Sequence, residues 1–280
     1  MHRIVKKSQL ASDVCRMEVE APLVASSWKA GNFIMFRIND KGERVPLTIV
    51  DSNKDKGTIT IIAQGIGKST KHLNSLKEGD FIQDIAGPLG MPTHIENFGN
   101  AVVMGGGVGT AEVYPIAKAL KEAGNSMHAI IGARNKELVI MEEELKSIGI
   151  QVKVSTDDGS YGHHGLVTDI LKKMIDDGLK LNFVIAIGPL PMMKAVSDVT
   201  RPLQIKTMVS LNSIMLDGTG MCGACRVTID GKTKFVCVDG PEFDAHEVDY
   251  NELRNRQRMY VDDEKSLLDS FTHKNGACQF

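Results

Sequence analysis

Asp217-Gly-Thr-Gly-Met-Cys222-Gly-Ala-Cys225 is followed by Cys237 after eleven residues. Thiolates are soft, anionic ligands suited to iron–sulfur clusters. A C-x2-C pair on a tight glycine-containing loop sets two of them side by side. The plant-type ferredoxin spacing is C-x4-C-x2-C with a distant fourth cysteine. Asp217 stands where that pattern has its first cysteine, and a carboxylate also ligates iron. The expected metal ligands are therefore Asp217, Cys222, Cys225 and Cys237. A structural zinc site of three Cys plus His or Asp fits the same residues, and a loop Asp is usually just solvated.

Three further segments have the chemistry of phosphate and ring binding. Val102-Val103-Met104-Gly105-Gly106-Gly107-Val108-Gly109-Thr110-Ala111 reads as a strand, a glycine turn and a helix start. Glycines there let backbone approach a pyrophosphate whose charge the helix N-terminus favours. The spacing is not G-x-G-x-x-G, and a ligand-free tight turn would look alike. In Arg44-Val45-Pro46-Leu47-Thr48 the guanidinium can fork onto a phosphate and the Thr48 hydroxyl suits a ring nitrogen. Gly67-Lys68-Ser69-Thr70 offers N–H groups, hydroxyls and a cation at a helix start. Taken singly, Arg44 is a surface charge and Ser69 or Thr70 a helix cap. Gly188-Pro189-Leu190-Pro191-Met192 follows an apolar run, and Ser155-Thr156-Asp157-Asp158-Gly159 ends another, where open α/β sheets bind ligands.

The elements that must hold these residues are legible in the patterning. Residues 1–97 alternate in short segments such as Phe33–Ile38 and Thr58–Ala63, punctuated by Gly, Asn and Asp, which predicts a small β-barrel. Ser69–Leu76 reads as a short helix within it. Residues 98–211 change period: Ala101–Met104, Met127–Gly132, Ile150–Val154 and Phe183–Ile187 are strands, with helical stretches to Ala123, at Met141–Ser147, at Val167–Asp176 and from Pro191. That alternation predicts a doubly wound parallel sheet. Residues 212–250 form a metal-ordered segment with β-like pieces at Cys225–Ile229 and Lys234–Val238. Residues 251–280 read as a helical extension with apolar positions at Leu253, Met259, Tyr260, Leu267, Leu268 and Phe271.

Bulk properties set limits. The 280 residues are 42% hydrophobic with a formal net charge of -2, which suggests no nucleic acid or membrane partner. No apolar run is long enough to span a bilayer, and the N-terminus has no secretory pattern, so the cytoplasm is expected. Five cysteines, three of them within 222–237, point to metal rather than disulfides in such a chain.

In combination and order, R-x-P-x-T, G-x-G-K-S-T, G-G-G-V-G-T, G-P-x-x-M and the cysteine cluster resemble the ferredoxin–NADP reductase superfamily. Within it the chain is similar to iron–sulfur flavoprotein subunits related to the electron-transfer subunit of dihydroorotate dehydrogenase. With Asp217 for a cysteine, it most resembles the small subunits of NADH-dependent reduced ferredoxin:NADP oxidoreductases. The resemblance implies a β-barrel FAD domain, an α/β NAD domain and a C-terminal [2Fe–2S] segment. It implies FAD on Arg44, Pro46, Leu47, Thr48, Ile62, Ala63, Gln64, Gly67, Lys68, Ser69 and Thr70, with Thr48 nearest the reactive edge. NAD(H) would lie along Gly106, Gly107, Val108, Gly109, Thr110, Arg134, Asp157, Gly188, Pro189 and Met192. It also implies a larger partner subunit with its own FAD and [4Fe–4S] clusters, linking NADPH and ferredoxin by electron bifurcation. Two alternatives stand beside this: a dihydroorotate dehydrogenase electron-transfer subunit, and a zinc-stabilised nucleotide-binding regulator that is no enzyme.

Overall fold

The computed structural model describes residues 1–276. Seven strands build the N-terminal unit: β1 (His2–Ala11), β2 (Val14–Glu20), β3 (Phe33–Arg37), β4 (Val45–Asn53), β5 (Thr58–Gln64), β6 (Phe81–Ile82) and β7 (Asp84–Leu89). They pair in the order β6-β1-β2-β5-β4-β3-β7, every pairing antiparallel. Alternation along the strands turns Ile4, Met17, Val19, Ile34, Phe36, Ile49, Ile59 and Ile61 into one closed core. This is the barrel-like sheet expected from the period-2 pattern. Helix α1 (Pro22–Ser27) opens on a proline and buries Val24 and Ala25. Helix α2 (Lys68–Ser75) buries Leu73.

The second sheet contains β8 (Asn100–Gly106), β9 (Ser126–Ala133), β10 (Gln151–Thr156), β11 (His163–His164), β12 (Phe183–Ile187) and β13 (Lys206–Ser210). These are parallel, in the order β11-β10-β9-β8-β12-β13. Helices α3 (Gly109–Glu122), α4 (Glu142–Ser147), α5 (Val167–Asp176) and α6 (Leu190–Thr200) connect them. β8 and β12 are buried almost throughout, as expected for strands covered on both faces. The strand order reverses at β8, and a ligand crevice forms beyond the C-terminal ends of strands at such a point.

The last part of the chain does not stand apart. β14 (Arg226–Ile229) and β15 (Lys232–Phe235) form a hairpin; α7 (Val236–Asp239) follows, and β16 (Glu242–Asp244) adds antiparallel to β13. Residues 236–238, expected to be extended, are helical. The Asp239 carboxylate accepts the Phe235 N–H at 2.7 Å, and the turn carries Cys237 inward. Helices α8 (Tyr250–Gln257) and α9 (Val261–Gly276) complete the chain. Leu253 is buried, whereas Met259, Tyr260 and Leu267 are exposed. Among the described residues no helix is long and apolar enough to cross a membrane.

Candidate functional site

Arg44 lies exposed just before β4, and Pro46, Leu47 and Thr48 lie on β4 itself. Ile62, Ala63 and Gln64 end the neighbouring β5. Gly67 precedes α2, so Lys68, Ser69 and Thr70 make its first turn. The Thr70 hydroxyl accepts the Ile66 and Gly67 N–H groups, both at 3.1 Å. Thr70 thus shapes the turn with its side chain. Ser69 Oγ donates to Glu43 at 2.5 Å. Beside it runs a groove lined by Glu43, Lys68, Ser69, His72 and Phe271.

On the second sheet, β8 runs into Gly106 and Gly107, Val108 caps α3, and Gly109 opens that helix. A Cβ on Gly109 would lie 2.3 Å from the Ile187 carbonyl oxygen, and one on Gly106 2.5 Å from Met192 Sδ. The glycine turn and the Gly188–Met192 segment therefore press together, with no room for side chains between them. Gly107 differs: its φ is +57° and nothing lies within 4 Å of where a Cβ would be. Its open side is a cradle for a flat or anionic ligand at a helix N-terminus. The structure turns Thr110 the other way: it is fully buried and its hydroxyl lacks a partner among the described residues. Its backbone is buried too, with the N–H donating to the Gly107 carbonyl at 3.2 Å. Arg134 and Asp157 are exposed just beyond β9 and β10. The Asp157 N–H donates to the Ala133 carbonyl at 3.1 Å, which joins the two strand ends.

The two units meet at polar contacts that include an Arg16–Glu144 ion pair at 2.5 Å between β2 and α4. Thr48 Oγ1 donates to Glu112 Oε2 at 2.9 Å, from β4 to the first turn of α3. Burial pushes the Glu112 carboxyl above its usual range, and the Thr48 hydrogen bond offsets this in part. Sequence reasoning missed Glu112, because an acid in a first helical turn is the ordinary complement to the helix dipole. No local pattern separates it from a solvated one.

Cys222, Cys225 and Cys237 are all free thiols. Cys225 and Cys237 are buried with their sulfurs 3.2 Å apart, too far for a disulfide. Burial, with the Cys225 thiol alongside, pushes Cys237 up to about 12. Cys222 is exposed. Asp217 accepts the Thr219 N–H at 2.7 Å and the Cys222 N–H at 3.0 Å, and these bonds hold its carboxyl below the usual range. Among the described residues no three His, Cys, Asp or Glu side chains converge as a metal cage. The buried sulfur pair, the loop thiol and the ionised carboxylate are nonetheless one short loop and one turn apart, a donor set suited to a cluster.

Strand β3 links this loop to the barrel site. Cys225 and Cys237 share a core with Phe33 and Met35, and Phe33 pairs in register with Thr48 on β4. A Cβ on Gly218 would lie 2.7 Å from Met35, so the 217–225 loop leans on the same strand. The cysteines and Thr48 thus flank one pair of strands.

Comparisons with known proteins agree with this layout. The oxidoreductase FAD-binding domain family matches residues 1–94, and the oxidoreductase NAD-binding domain family matches residues 103–198. The iron–sulfur cluster binding domain of dihydroorotate dehydrogenase B matches residues 212–249. The chain is 46% identical over 276 residues to the Thermotoga maritima homologue of the dihydroorotate dehydrogenase B (NAD(+)) electron transfer subunit, covering 99% of this chain and 97% of that protein. It is 32% identical to that electron transfer subunit of Fusobacterium nucleatum, covering 86% and 95% of the two chains. A solved structure of an NADH-dependent reduced ferredoxin-NADP oxidoreductase, studied for flavin-based electron bifurcation, superposes with a TM-score of 0.92 at 46% identity. That match covers 97% of this chain and 98% of that one.

Proposed function

The chain belongs to the ferredoxin reductase-like oxidoreductases that include the dihydroorotate dehydrogenase B electron-transfer subunits and their homologues, and from that membership we propose that it is the small, NAD(H)-linked subunit of an electron-bifurcating complex. In that complex it passes electrons between NAD(H) and its own [2Fe–2S] cluster through FAD, and a larger flavin and iron–sulfur subunit connects it to NADPH and ferredoxin. The observation that carries this reading is the likeness, over nearly all of both chains, to the NADH-dependent reduced ferredoxin-NADP oxidoreductase structure.

When bound, FAD supplies the exchange between hydride chemistry and single-electron chemistry that neither NADH nor iron can supply alone. The chain's residues bind and orient. Arg44 and the Gly67–Thr70 turn would hold the FAD pyrophosphate, Ile62, Ala63 and Gln64 would line its ring and ribityl chain, and Thr48 would lie by its reactive ring edge. Gly107 gives NAD(H) close approach to the α3 N-terminus; Arg134, Asp157, Gly188, Pro189 and Met192 lie along the rest of it. Asp217, Cys222, Cys225 and Cys237 hold the cluster. Phe33 and Met35 pack in one buried apolar core with Cys225 and Cys237, which would keep water from that side of a bound cluster.

The test is to purify the chain with whatever copurifies and determine subunits and cofactors. The proposal requires a brown complex with flavin, [2Fe–2S] iron and a second subunit bearing flavin and [4Fe–4S] clusters. A dihydroorotate-oxidising flavoprotein as partner would replace it with the pyrimidine-enzyme assignment, which the Fusobacterium nucleatum similarity favours. A colourless, zinc-containing protein would refute both.

A further inference from the structure

The Thr48–Glu112 contact bears on what happens to a proton. NADH oxidised by single-electron acceptors yields NAD+, two electrons and one H+. Hydride carries the hydrogen nucleus and both electrons to the flavin edge, iron removes only electrons, and the proton has to leave by another route. We propose that Glu112 is a positioning and proton-holding residue that, through the Thr48 hydroxyl, takes this proton from the reactive edge. The inference rests on the reading of Thr48 as the residue facing that edge.

The geometry supplies each step. Thr48 Oγ1 is 2.9 Å from Glu112 Oε2 and donates to it. As Thr48 Oγ accepts the proton left at the edge, the hydroxyl's own proton passes to Oε2, and the carboxylate becomes neutral. Glu112 then releases a proton to water, and the pair is restored. A hydroxyl backed by a carboxyl can also reverse its direction. It donates to an unprotonated ring nitrogen when Glu112 is protonated and accepts from a protonated one when Glu112 is ionised.

The surroundings suit this. Ala11, Val14, Val50 and Ile62 of the barrel pack on Ala111, Ile140 and Met141 of the second unit, so the contact sits beside an apolar seam. Burial and the Thr48 hydroxyl are the influences on Glu112, and no charged side chain is among them. None of the ion pairs among the described residues involves it. The α3 N-terminus favours the ionised form while burial opposes it, so both forms are within reach.

The test compares the parent, Glu112→Gln, Glu112→Asp and Thr48→Val, each purified as the complex with its flavin content measured. Reduced-minus-oxidised infrared spectra of the parent should show a carboxyl band that shifts in D2O and is absent from Glu112→Gln and Thr48→Val. After reduction by NADH, electron arrival at the cluster, followed by EPR, should slow about a hundredfold in Glu112→Gln, the low end for a positioned acid–base group. Glu112→Asp should restore part of the rate. A flavin-loaded Glu112→Gln that keeps the carboxyl band or the parental rate overturns the relay and leaves the reading of Thr48 intact. A parent without flavin overturns that reading and the relay with it. If Glu112→Gln does not fold, Thr48→Val decides, by the same two readouts.

Discussion

Asp217 illustrates how much rests on single side chains. Its carboxylate is tied to two N–H groups of its own loop, yet it occupies the first ligand position of the cysteine pattern. A carboxylate donates less charge to iron than a thiolate. Asp217→Cys is therefore expected to keep a [2Fe–2S] cluster with a lowered midpoint potential, in the direction opposite to the rise seen when His replaces Cys. Asp217→Ala should make the cluster labile, and Cys15→Ser should leave it intact; Cys278 lies outside the described residues. An EPR-monitored redox titration reads all of these. An unchanged potential in Asp217→Cys with a stable cluster in Asp217→Ala would move the fourth ligand elsewhere. Arg44 belongs to the same scale. Exposed and free to fork onto a phosphate, it should hold FAD by about 1.5–3 kcal/mol, the value of a hydrogen bond to a charged group. Arg44→Ala is expected to lose flavin on a desalting column that the parent survives.

Among the elements, the strand-turn-helix from β8 to α3 separates two kinds of glycine. At Gly107 the neighbourhood is open, so a larger residue collides with a ligand rather than with the protein, apart from the strain of its positive φ. Gly107→Val should keep flavin and cluster while abolishing flavin reduction by NADH. At Gly109 a Cβ would strike the Ile187 carbonyl, so Gly109→Ala should lower the melting temperature before any effect on binding is read. The sequence alone does not distinguish them, since both are glycines in one run. The regular elements were more legible: the period-2 strands of the barrel and the apolar runs at Val102–Met104 and Phe183–Ile187 are where the alternation placed them. The short helix at Val236–Asp239 was not, because its turn answers to the packing of Cys237 against Cys225 at the base of the β14–β15 hairpin. The Thr48–Glu112 contact, 64 residues apart in sequence, leaves no trace in any local window.

Across the whole molecule, the three parts meet at Glu242. Thr93, on the segment leaving the barrel, donates to the Glu242 carboxyl on β16 at 2.5 Å. Burial pushes that carboxyl up to about 7. Its folded pKa is raised, so the folded state binds the extra proton. The stabilisation is complete below the unfolded value near 4.5 and is lost as pH rises through about 7. Glu242→Gln, which keeps an acceptor for Thr93, should melt with the parent at pH 5 and above it at pH 8, by calorimetry. A variant that melts with the parent at pH 5 but lower at pH 8 would show that the charge itself is needed. Neither Glu242 nor Thr93 stood out in the sequence; their meeting depends on the return of β16 to the second sheet.

That return gives the cysteine-bearing segment a second role. β16 hydrogen-bonds along β13, the final parallel strand, and the Leu211 N–H closes the pair onto the Pro241 carbonyl at 2.9 Å. An uncovered strand margin is a row of unsatisfied donors and acceptors that recruits other chains. β16 covers that margin and leaves a strand of only three residues as the sheet's edge, and a very short edge strand is one way a protein limits self-association. Stripping the iron should loosen this short edge strand and bare β13, so that the first sign of a damaged redox centre in solution is turbidity.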